Sequence, residues 1–134
     1  MKRVLFVCLG NSCRSQMAEG FARALGQGAW EVESAGLMPA VGIAPPVREV
    51  MDEKGISLGE QFPKPLEWMR PESFDLIVNI SGYPLPDGIP VPVREWKVDD
   101  PIGQKLKVYR RVRDEIEVLV RGLLEEMRQA PHEN

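Results

Sequence analysis

The chain begins with a short, uninterrupted apolar run at residues 4–7 (VLFV), which ends at Cys8 and precedes Gly10 and Asn11. Such a run is typical of a strand buried on both faces of a parallel sheet, and the small residues behind it predict a loop. From Ser15 to Leu25 apolar residues recur at intervals of three and four, which predicts a helix. This strand–loop–helix unit constrains the fold most, because open α/β sheets bind ligands where such a strand ends.

Short apolar strands alternate with amphipathic helices along the rest of the chain. The predicted elements are strands at Trp30–Glu33 and Phe74–Asn79, at most a short strand near Ile89–Val93, and helices that begin at Pro45 and near Lys105. This alternation predicts an α/β fold in which a parallel sheet has helices on both faces. We expect a single three-layer domain over residues 1–134, with a polar tail at residues 129–134.

Composition excludes several classes of function. The net charge of −3 argues against a nucleic-acid binder, which is normally basic or carries a basic face. No apolar run approaches the roughly 20 residues that a membrane span needs, so we predict no membrane partner and a cytoplasmic location. Two cysteines and one histidine cannot supply four zinc ligands without carboxylates, and we predict neither a bound metal nor another cofactor.

The loop after the first strand contains the residues that indicate a chemistry; from Cys8 to Ser15 it reads CLGNSCRS. Backbone N–H groups in a loop of this length can surround a tetrahedral oxyanion, and the N-terminus of the following helix adds positive potential. Arg14 can bind two oxygens of the anion through its planar guanidinium. The predicted binding residues are Leu9, Gly10, Asn11, Ser12, Cys13, Arg14 and Ser15.

Cys8 is predicted to be a nucleophile aimed at this anion, because the same positive field stabilises a thiolate. The Ser15 hydroxyl can donate to its sulfur, and Gly10 and Asn11 can adopt the left-handed backbone angles of a tight loop. The alternative is that Cys8 is a small buried residue and that Arg14 merely begins a helix. The strand–loop–helix context favours the catalytic interpretation.

Cysteine-based chemistry on an oxyanion also requires a proton donor for the leaving oxygen. Asp100 is the best candidate, because it lies in a loop, directly before Pro101, between the last strand and the last helix. Its neighbour Asp99 remains open as an alternative. Asp52 and Asp87 are less well placed, since one falls inside a predicted helix and the other in a proline-rich loop.

These residues resemble the low-molecular-weight protein tyrosine phosphatase family, including its arsenate reductase branch. The similarity extends over residues 4–15 (VLFVCLGNSCRS), 17–19 (MAE), 34–36 (SAG) and 100–101 (DP). It implies a four-stranded parallel sheet and a metal-free reaction in two steps. Cys8 attacks phosphorus to give a phosphocysteine while Asp100 protonates the leaving alcohol, and water activated by Asp100 then hydrolyses it. By position, Arg14 binds the phosphate, Asn11 shapes the loop and Ser15 assists the thiolate.

The resemblance leaves the branch open. Residues 16–20 (QMAEG) and 110–116 (RRVRDEI) are more similar to arsenate reductases, and residues 101–103 (PIG) lack the tyrosine pair that follows Asp-Pro in many of the phosphatases. The thioredoxin-linked reductases, however, use two further cysteines after the third strand, where residues 79–84 (NISGYP) contain none.

Three functions therefore follow from the sequence. The leading prediction is a phosphomonoester hydrolase that acts through a phosphocysteine on a phosphotyrosine-like substrate. The alternative is an arsenate reductase that takes electrons from an external small thiol. The third is a non-catalytic module that binds an oxyanion or carries a phosphocysteine. Asp100 argues against the third, because a carrier has no use for a leaving-group acid.

Cys13 has two interpretations of equal weight. The resemblance implies that it can form a disulfide with Cys8, which makes it the predicted redox partner of the nucleophile. The alternative is that it is a packed cysteine with little effect on the chemistry.

Overall fold

The computed structural model describes residues 1–129 of the chain. Its elements are β1 (Lys2–Cys8), α1 (Arg14–Leu25), β2 (Trp30–Gly36), α2 (Pro45–Asp52), 3₁₀ helices at Leu66–Met69 and Pro71–Ser73, β3 (Leu76–Asn79), β4 (Val93–Glu95) and α3 (Leu106–Gln129). Gln129, predicted to belong to the tail, lies in α3 instead, and its side-chain amide donates to Glu125 one turn earlier (2.7 Å). The predicted tail from residue 130 onwards lies outside the described residues.

The four strands form one parallel sheet in the order β2-β1-β3-β4, which confirms the predicted fold class. β1 lies inside the sheet, so both of its edges are hydrogen-bonded, and its residues 4–7 are fully buried. In the register of β1 and β2, Cys8 lies opposite Gly36. The carboxyl end of β1 therefore meets the carboxyl end of β2, and the loops after both strands lie side by side.

The two faces of the sheet are covered unequally. Val4 and Phe6 face a large core built from α1, α2 and α3. Leu5 and Val7 face a smaller cluster that includes Leu66 of the first 3₁₀ helix and apolar residues of the loop before β4. Helices thus lie on both faces, as predicted, but those on the second face are single 3₁₀ turns. Among residues 1–129, none of the helices is both long and apolar enough to cross a membrane.

The fourth strand differs from the prediction. It spans Val93–Glu95, whereas the sequence suggested Ile89–Val93. Pro90 and Pro92 have no N–H to donate to a neighbouring strand, so regular pairing with β3 begins only at Val93. All three residues of β4 are exposed, which fits a short strand at the edge of the sheet.

The second and third strands also differ from the prediction in length. β2 continues to Gly36, beyond Glu33, while β3 begins at Leu76, after Phe74. Phe74 follows a 3₁₀ helix and packs in the smaller core.

α2 and α3 are joined by ion pairs that centre on Glu53. Arg110 donates to both carboxylate oxygens of Glu53 (2.7–3.1 Å), and Arg113 donates to one of them (2.7 Å). Arg113 also donates to the carbonyl of Val50 (2.9 Å). Two basic residues of α3 thus bind to the C-terminal end of α2.

The Glu53 pairs predict a pH dependence of stability. The hydrogen bonds from Arg110 and Arg113 lower the pKa of Glu53 from 4.5 to about 2. Its contribution to stability is therefore fully present above pH 4.5 and disappears as the pH falls towards 2. Glu53→Gln should lower the thermal midpoint at pH 7, and its difference from wild type should shrink between these two pH values.

Circular dichroism melts at several pH values would measure this difference. Glu72→Gln is the matched control, because Glu72 is exposed on the second 3₁₀ helix and makes no ion pair among residues 1–129. A difference between Glu53→Gln and wild type that stays constant down to pH 2 would contradict the assignment.

Candidate active site

A pocket of about 280 Å³ opens at the carboxyl end of β1. It is lined by Cys8, Leu9, Gly10, Ser12, Cys13, Arg14, Met38, Asp100 and Ile102. The structure thus brings together the predicted nucleophile, the predicted anion-binding arginine and the predicted acid. Asn11 and Ser15 lie behind the pocket and are fully buried.

The carbonyl groups of the loop after β1 are bound by the segment that follows β2. The bonds run from Leu37 N–H to Cys8 O (3.1 Å), Met38 N–H to Leu9 O (2.8 Å), Ala40 N–H to Gly10 O (2.9 Å) and Ala44 N–H to Ser12 O (3.0 Å). The remaining carbonyl, that of Asn11, accepts a hydrogen bond from the side chain of Gln16 (2.9 Å). All five carbonyls from residue 8 to residue 12 therefore have a partner outside the loop.

This bonding orients the N–H groups of the loop. In a trans peptide the carbonyl of one residue and the N–H of the next point in opposite directions, and the described residues contain no cis peptide. The N–H groups of residues 9–13 consequently point away from these partners and towards the pocket. Within residues 1–129 none of them donates to another group. A ring of such donors is suited to binding an oxyanion.

Asn11 determines the shape of the loop. It adopts a left-handed conformation (φ 48°), which asparagine tolerates better than most residues. Its Oδ1 accepts from the backbone N–H of Lys64 (3.0 Å), and its Nδ2 donates to the hydroxyls of Ser15 (2.7 Å) and Ser34 (3.0 Å). The left-handed conformation predicted for Gly10 does not occur. A side chain there would instead crowd the Ser12 hydroxyl, at 3.2 Å.

Ser15 is placed to donate a hydrogen bond to the sulfur of Cys8. The Ser15 oxygen lies 2.8 Å from the sulfur of Cys8. Because this oxygen already accepts a hydrogen bond from Asn11, its own hydrogen is free to point at the sulfur. Such a hydrogen bond is stronger when the acceptor carries a negative charge than when it is neutral.

A buried carboxylate orients this chain of hydrogen bonds. The Ser34 hydroxyl donates to Glu19 (2.5 Å), so its oxygen is left to accept from Asn11. Glu19 is only 2% exposed and pairs with Arg23 (2.7 Å), which offsets the cost of burying its charge. The Asn11 amide therefore donates to both hydroxyls, that of Ser34 on one side and that of Ser15, next to the nucleophile, on the other.

Arg14 is fixed by the ends of two other strands. Its Nη1 donates to the carbonyls of Ile80 (2.8 Å) and Val98 (3.0 Å), which follow β3 and β4. Its Nη2 lies 3.7 Å from Asp100 Oδ2, and the residue is 6% exposed. The guanidinium is held before any anion binds, so little side-chain entropy is lost on binding.

Asp100, rather than Asp99, faces the pocket. Its Oδ1 accepts from the N–H of Ile102 (3.0 Å), and its side chain is 45% exposed, which allows proton exchange with water. Asp99 lines a different part of the surface, is 84% exposed and lies 3.5 Å from Arg111. The geometry favours Asp100 as the acid over its neighbour.

Cys13 lies in the pocket wall as a free thiol, as does Cys8. Burial raises the pKa of Cys13 far above its usual range, and the negative charges of Cys8 and Asp100 act in the same direction. The nearby Arg14 opposes this effect without overcoming it. Cys13 therefore remains protonated at neutral pH, which makes it a poor nucleophile.

Among residues 1–129, no aromatic residue lines this pocket. Trp96 and Tyr83 line a separate cavity of about 660 Å³ that shares only Arg14 with it. Trp96 is mostly buried and packs against Phe6, with ring centroids 5.8 Å apart. Across residues 1–129, no group of three histidine, cysteine or carboxylate side chains is placed to hold a metal ion.

Several groups of the site were missed from the sequence. Gln16, Ser34 and the backbone of residues 37–44 all support the loop, yet they were not predicted to do so. Gly36 is the one recognisable signal: a Cβ there would lie 2.9 Å from both Leu9 O and Asn11 Cβ. Only glycine lets β2 approach the loop this closely.

Comparison with known proteins agrees with this geometry. Residues 3–84 match the family model described as low molecular weight phosphotyrosine protein phosphatase. The glutaredoxin arsenate reductase of Synechocystis sp. (strain ATCC 27184 / PCC 6803 / Kazusa) is 38% identical over 92% of this chain and 97% of its own.

Solved structures give the same result. An arsenate reductase in its phosphate-binding state superposes with a TM-score of 0.89 at 37% identity, covering 95% of this chain and 99% of the other. The low molecular weight protein tyrosine phosphatase of T. tengcongensis reaches 0.80 at 30% identity, covering 94% and 99%. The predicted resemblance is confirmed: the chain belongs to the low molecular weight phosphotyrosine protein phosphatase family.

Proposed function

We propose that the protein is an arsenate reductase that takes its electrons from an external small thiol. The observation that carries this proposal is the pocket itself. Cys8, Arg14 and the inward N–H groups converge on a volume whose rim carries Met38 and Ile102, and none of the aromatic residues in the described part of the chain lines it. Such a pocket suits a bare tetrahedral oxyanion better than an aryl phosphate, which gains affinity from stacking.

The first step forms a bond between sulfur and arsenic. The Cys8 thiolate attacks arsenate held by Arg14 and the loop N–H groups. An oxygen leaves arsenic as hydroxide, and Asp100 donates a proton to it, so that water departs. Arsenic is still pentavalent in the resulting Cys8–arsenate thioester, and no electrons have yet been transferred.

The second step reduces arsenic. The thiolate of an external small thiol attacks the sulfur of Cys8, which forms a mixed disulfide as the sulfur–arsenic bond breaks. The electron pair of that bond stays on arsenic, which leaves as arsenite. A second thiol then attacks the mixed disulfide and releases the Cys8 thiolate. In total, two thiols are oxidised to one disulfide for each arsenate reduced.

The chain's own cysteines support an external electron donor. Cys13 is the only other cysteine, and it is buried with a raised pKa. The loop after β3 carries Ser81 and Tyr83 and no thiol. The name of the Synechocystis relative, glutaredoxin arsenate reductase, favours a thiol donor of the glutaredoxin class. The reducing cytoplasm, where we place the protein, supplies such thiols.

Hydrolysis of phosphomonoesters is the second candidate function. Cys8, Arg14 and Asp100 could also carry this reaction, in which a phosphocysteine forms on Cys8 and is hydrolysed by water that Asp100 activates. The likeness to the T. tengcongensis phosphatase favours this activity. A phosphotyrosine-like substrate would have to bind without an aromatic wall in the pocket, so we rank this function below arsenate reduction.

The test is arsenate reduction by the purified, reduced protein, followed as arsenite formed or as NADPH consumed through glutathione, glutathione reductase and glutaredoxin. We expect turnover that requires glutathione and is lost in Cys8→Ser, because serine cannot form the disulfide. Hydrolysis of p-nitrophenyl phosphate is measured beside it. Turnover of the phosphate ester without arsenate reduction would reverse the ranking of the two functions.

Cys13→Ser distinguishes the external thiol from an internal one. Because the Cys13 thiol is buried and protonated, we expect this variant to retain glutathione-dependent arsenite formation. A mass spectrum of the wild type trapped during turnover should show glutathione on Cys8. Loss of activity in Cys13→Ser, together with a Cys8–Cys13 disulfide in the trapped wild type, would show that Cys13 resolves the intermediate.

Asp100→Asn tests the proton donor. The amide keeps the size of the side chain but cannot protonate the leaving oxygen, so turnover should fall by about two to four orders of magnitude. Asp99→Asn is the matched control, since Asp99 lies next in sequence but does not line the pocket. A large loss in Asp99→Asn and a small one in Asp100→Asn would show that the other carboxylate is the acid.

A further inference from the structure

The peptide group between Asn11 and Ser12 differs from its neighbours in how it is held. The carbonyls of residues 8, 9, 10 and 12 accept from backbone N–H groups of the segment after β2. The Asn11 carbonyl instead accepts from the side-chain amide of Gln16, at 2.9 Å. Among the five carbonyls of the loop, this is the one whose orientation depends on the identity of a side chain.

We propose that Gln16 is a positioning residue that aims the N–H of Ser12 at the bound oxyanion. Gln16 does not line the pocket, and it acts through the peptide that joins Asn11 to Ser12. Because Gln16 holds the carbonyl of this trans peptide on the far side, the N–H faces the pocket. The inference deepens the proposed function, since it rests on an oxyanion bound in this loop.

The amide of Gln16 is itself oriented by a second glutamine. Its Oε1 accepts from Gln61 Nε2 at 2.8 Å, so its own Nε2 is the atom that faces Asn11. The same Gln61 nitrogen lies 3.3 Å from the backbone oxygen of Gln16. Gln16 is fully buried, where an amide turned the wrong way would lose both hydrogen bonds. The pair therefore has a single favourable arrangement.

The hydrogen bond from Gln16 to the loop is separate from the contacts that hold the nucleophile. Ser15 contacts the sulfur of Cys8 and is itself bound by the side chain of Asn11, whereas the only hydrogen bond from Gln16 to the loop is the one to the backbone carbonyl of Asn11. A change at Gln16 should therefore weaken anion binding more than it slows the chemical steps. A hydrogen bond made equally to the substrate and to the transition state affects KM rather than kcat.

The test is titration of the reduced, full-length protein with inorganic phosphate by isothermal calorimetry. Gln16→Met keeps the length of the side chain but removes the donor. We expect its Kd for phosphate to rise about ten- to a hundredfold, the usual effect of losing a hydrogen bond to a charged group. With arsenate as substrate, KM should rise by a similar factor while kcat changes little.

Two further variants make the experiment decisive. Gln27→Met is the matched control, because Gln27 is exposed after the end of α1 and lines a pocket that contains no residue of the loop. The Kd of this variant for phosphate should equal that of wild type. Gln61→Met removes only the group that orients Gln16 and should raise the Kd by a smaller factor. Thermal melts would show whether Gln16→Met folds, and if it does not, Gln61→Met replaces it as the test variant.

The outcomes separate this inference from the proposed function. A folded Gln16→Met that binds phosphate as tightly as wild type would overturn the inference, as would a wild type that binds no phosphate. If Gln16→Met does not fold, an unchanged Kd in Gln61→Met would overturn it. A wild type that binds phosphate but does not reduce arsenate would contradict the proposed function alone.

Discussion

The site depends on one set of hydrogen bonds, those that hold the carbonyls of the loop after β1 away from the pocket. Four come from the segment after β2, and the fifth comes from Gln16. A loop that must present its N–H groups to an anion repels that anion if any peptide turns over, because a carbonyl oxygen then faces it. The parallel pairing of β1 with β2 is what brings the second segment alongside.

The sheet and the strand–loop–helix unit could be predicted because their signals are local. An apolar run, small loop residues and a helical repeat follow one another within the first 25 residues. The position of the edge strand β4 was less predictable. This strand is short and exposed, so it has almost no pattern of buried apolar residues in the sequence. The two 3₁₀ helices are too short to show a repeat of their own.

The sequence indicated the side chains that we propose carry the chemistry, but not the groups that hold them. Cys8, Arg14 and Asp100 meet at one pocket, and the strand–loop–helix context indicates the first two in the sequence. The carbonyls of Ile80 and Val98 that fix Arg14 could be supplied by any residue, so no pattern of side chains reveals them. Likewise, the N–H groups of the segment after β2 reach the loop only because of the register between β1 and β2, and the sequence of a single strand does not specify that register.

The anchoring of Arg14 to the ends of β3 and β4 has a thermodynamic consequence. β4 has only three residues, all exposed, and is the edge of the sheet most prone to fray. An anion that binds Arg14 favours conformations in which the carbonyl after β4 is in place, so binding and closure of this edge belong to one linked equilibrium. A bound oxyanion would then stabilise the edge strand, and hydrogen exchange at the backbone amides of β4 would slow when the pocket is filled.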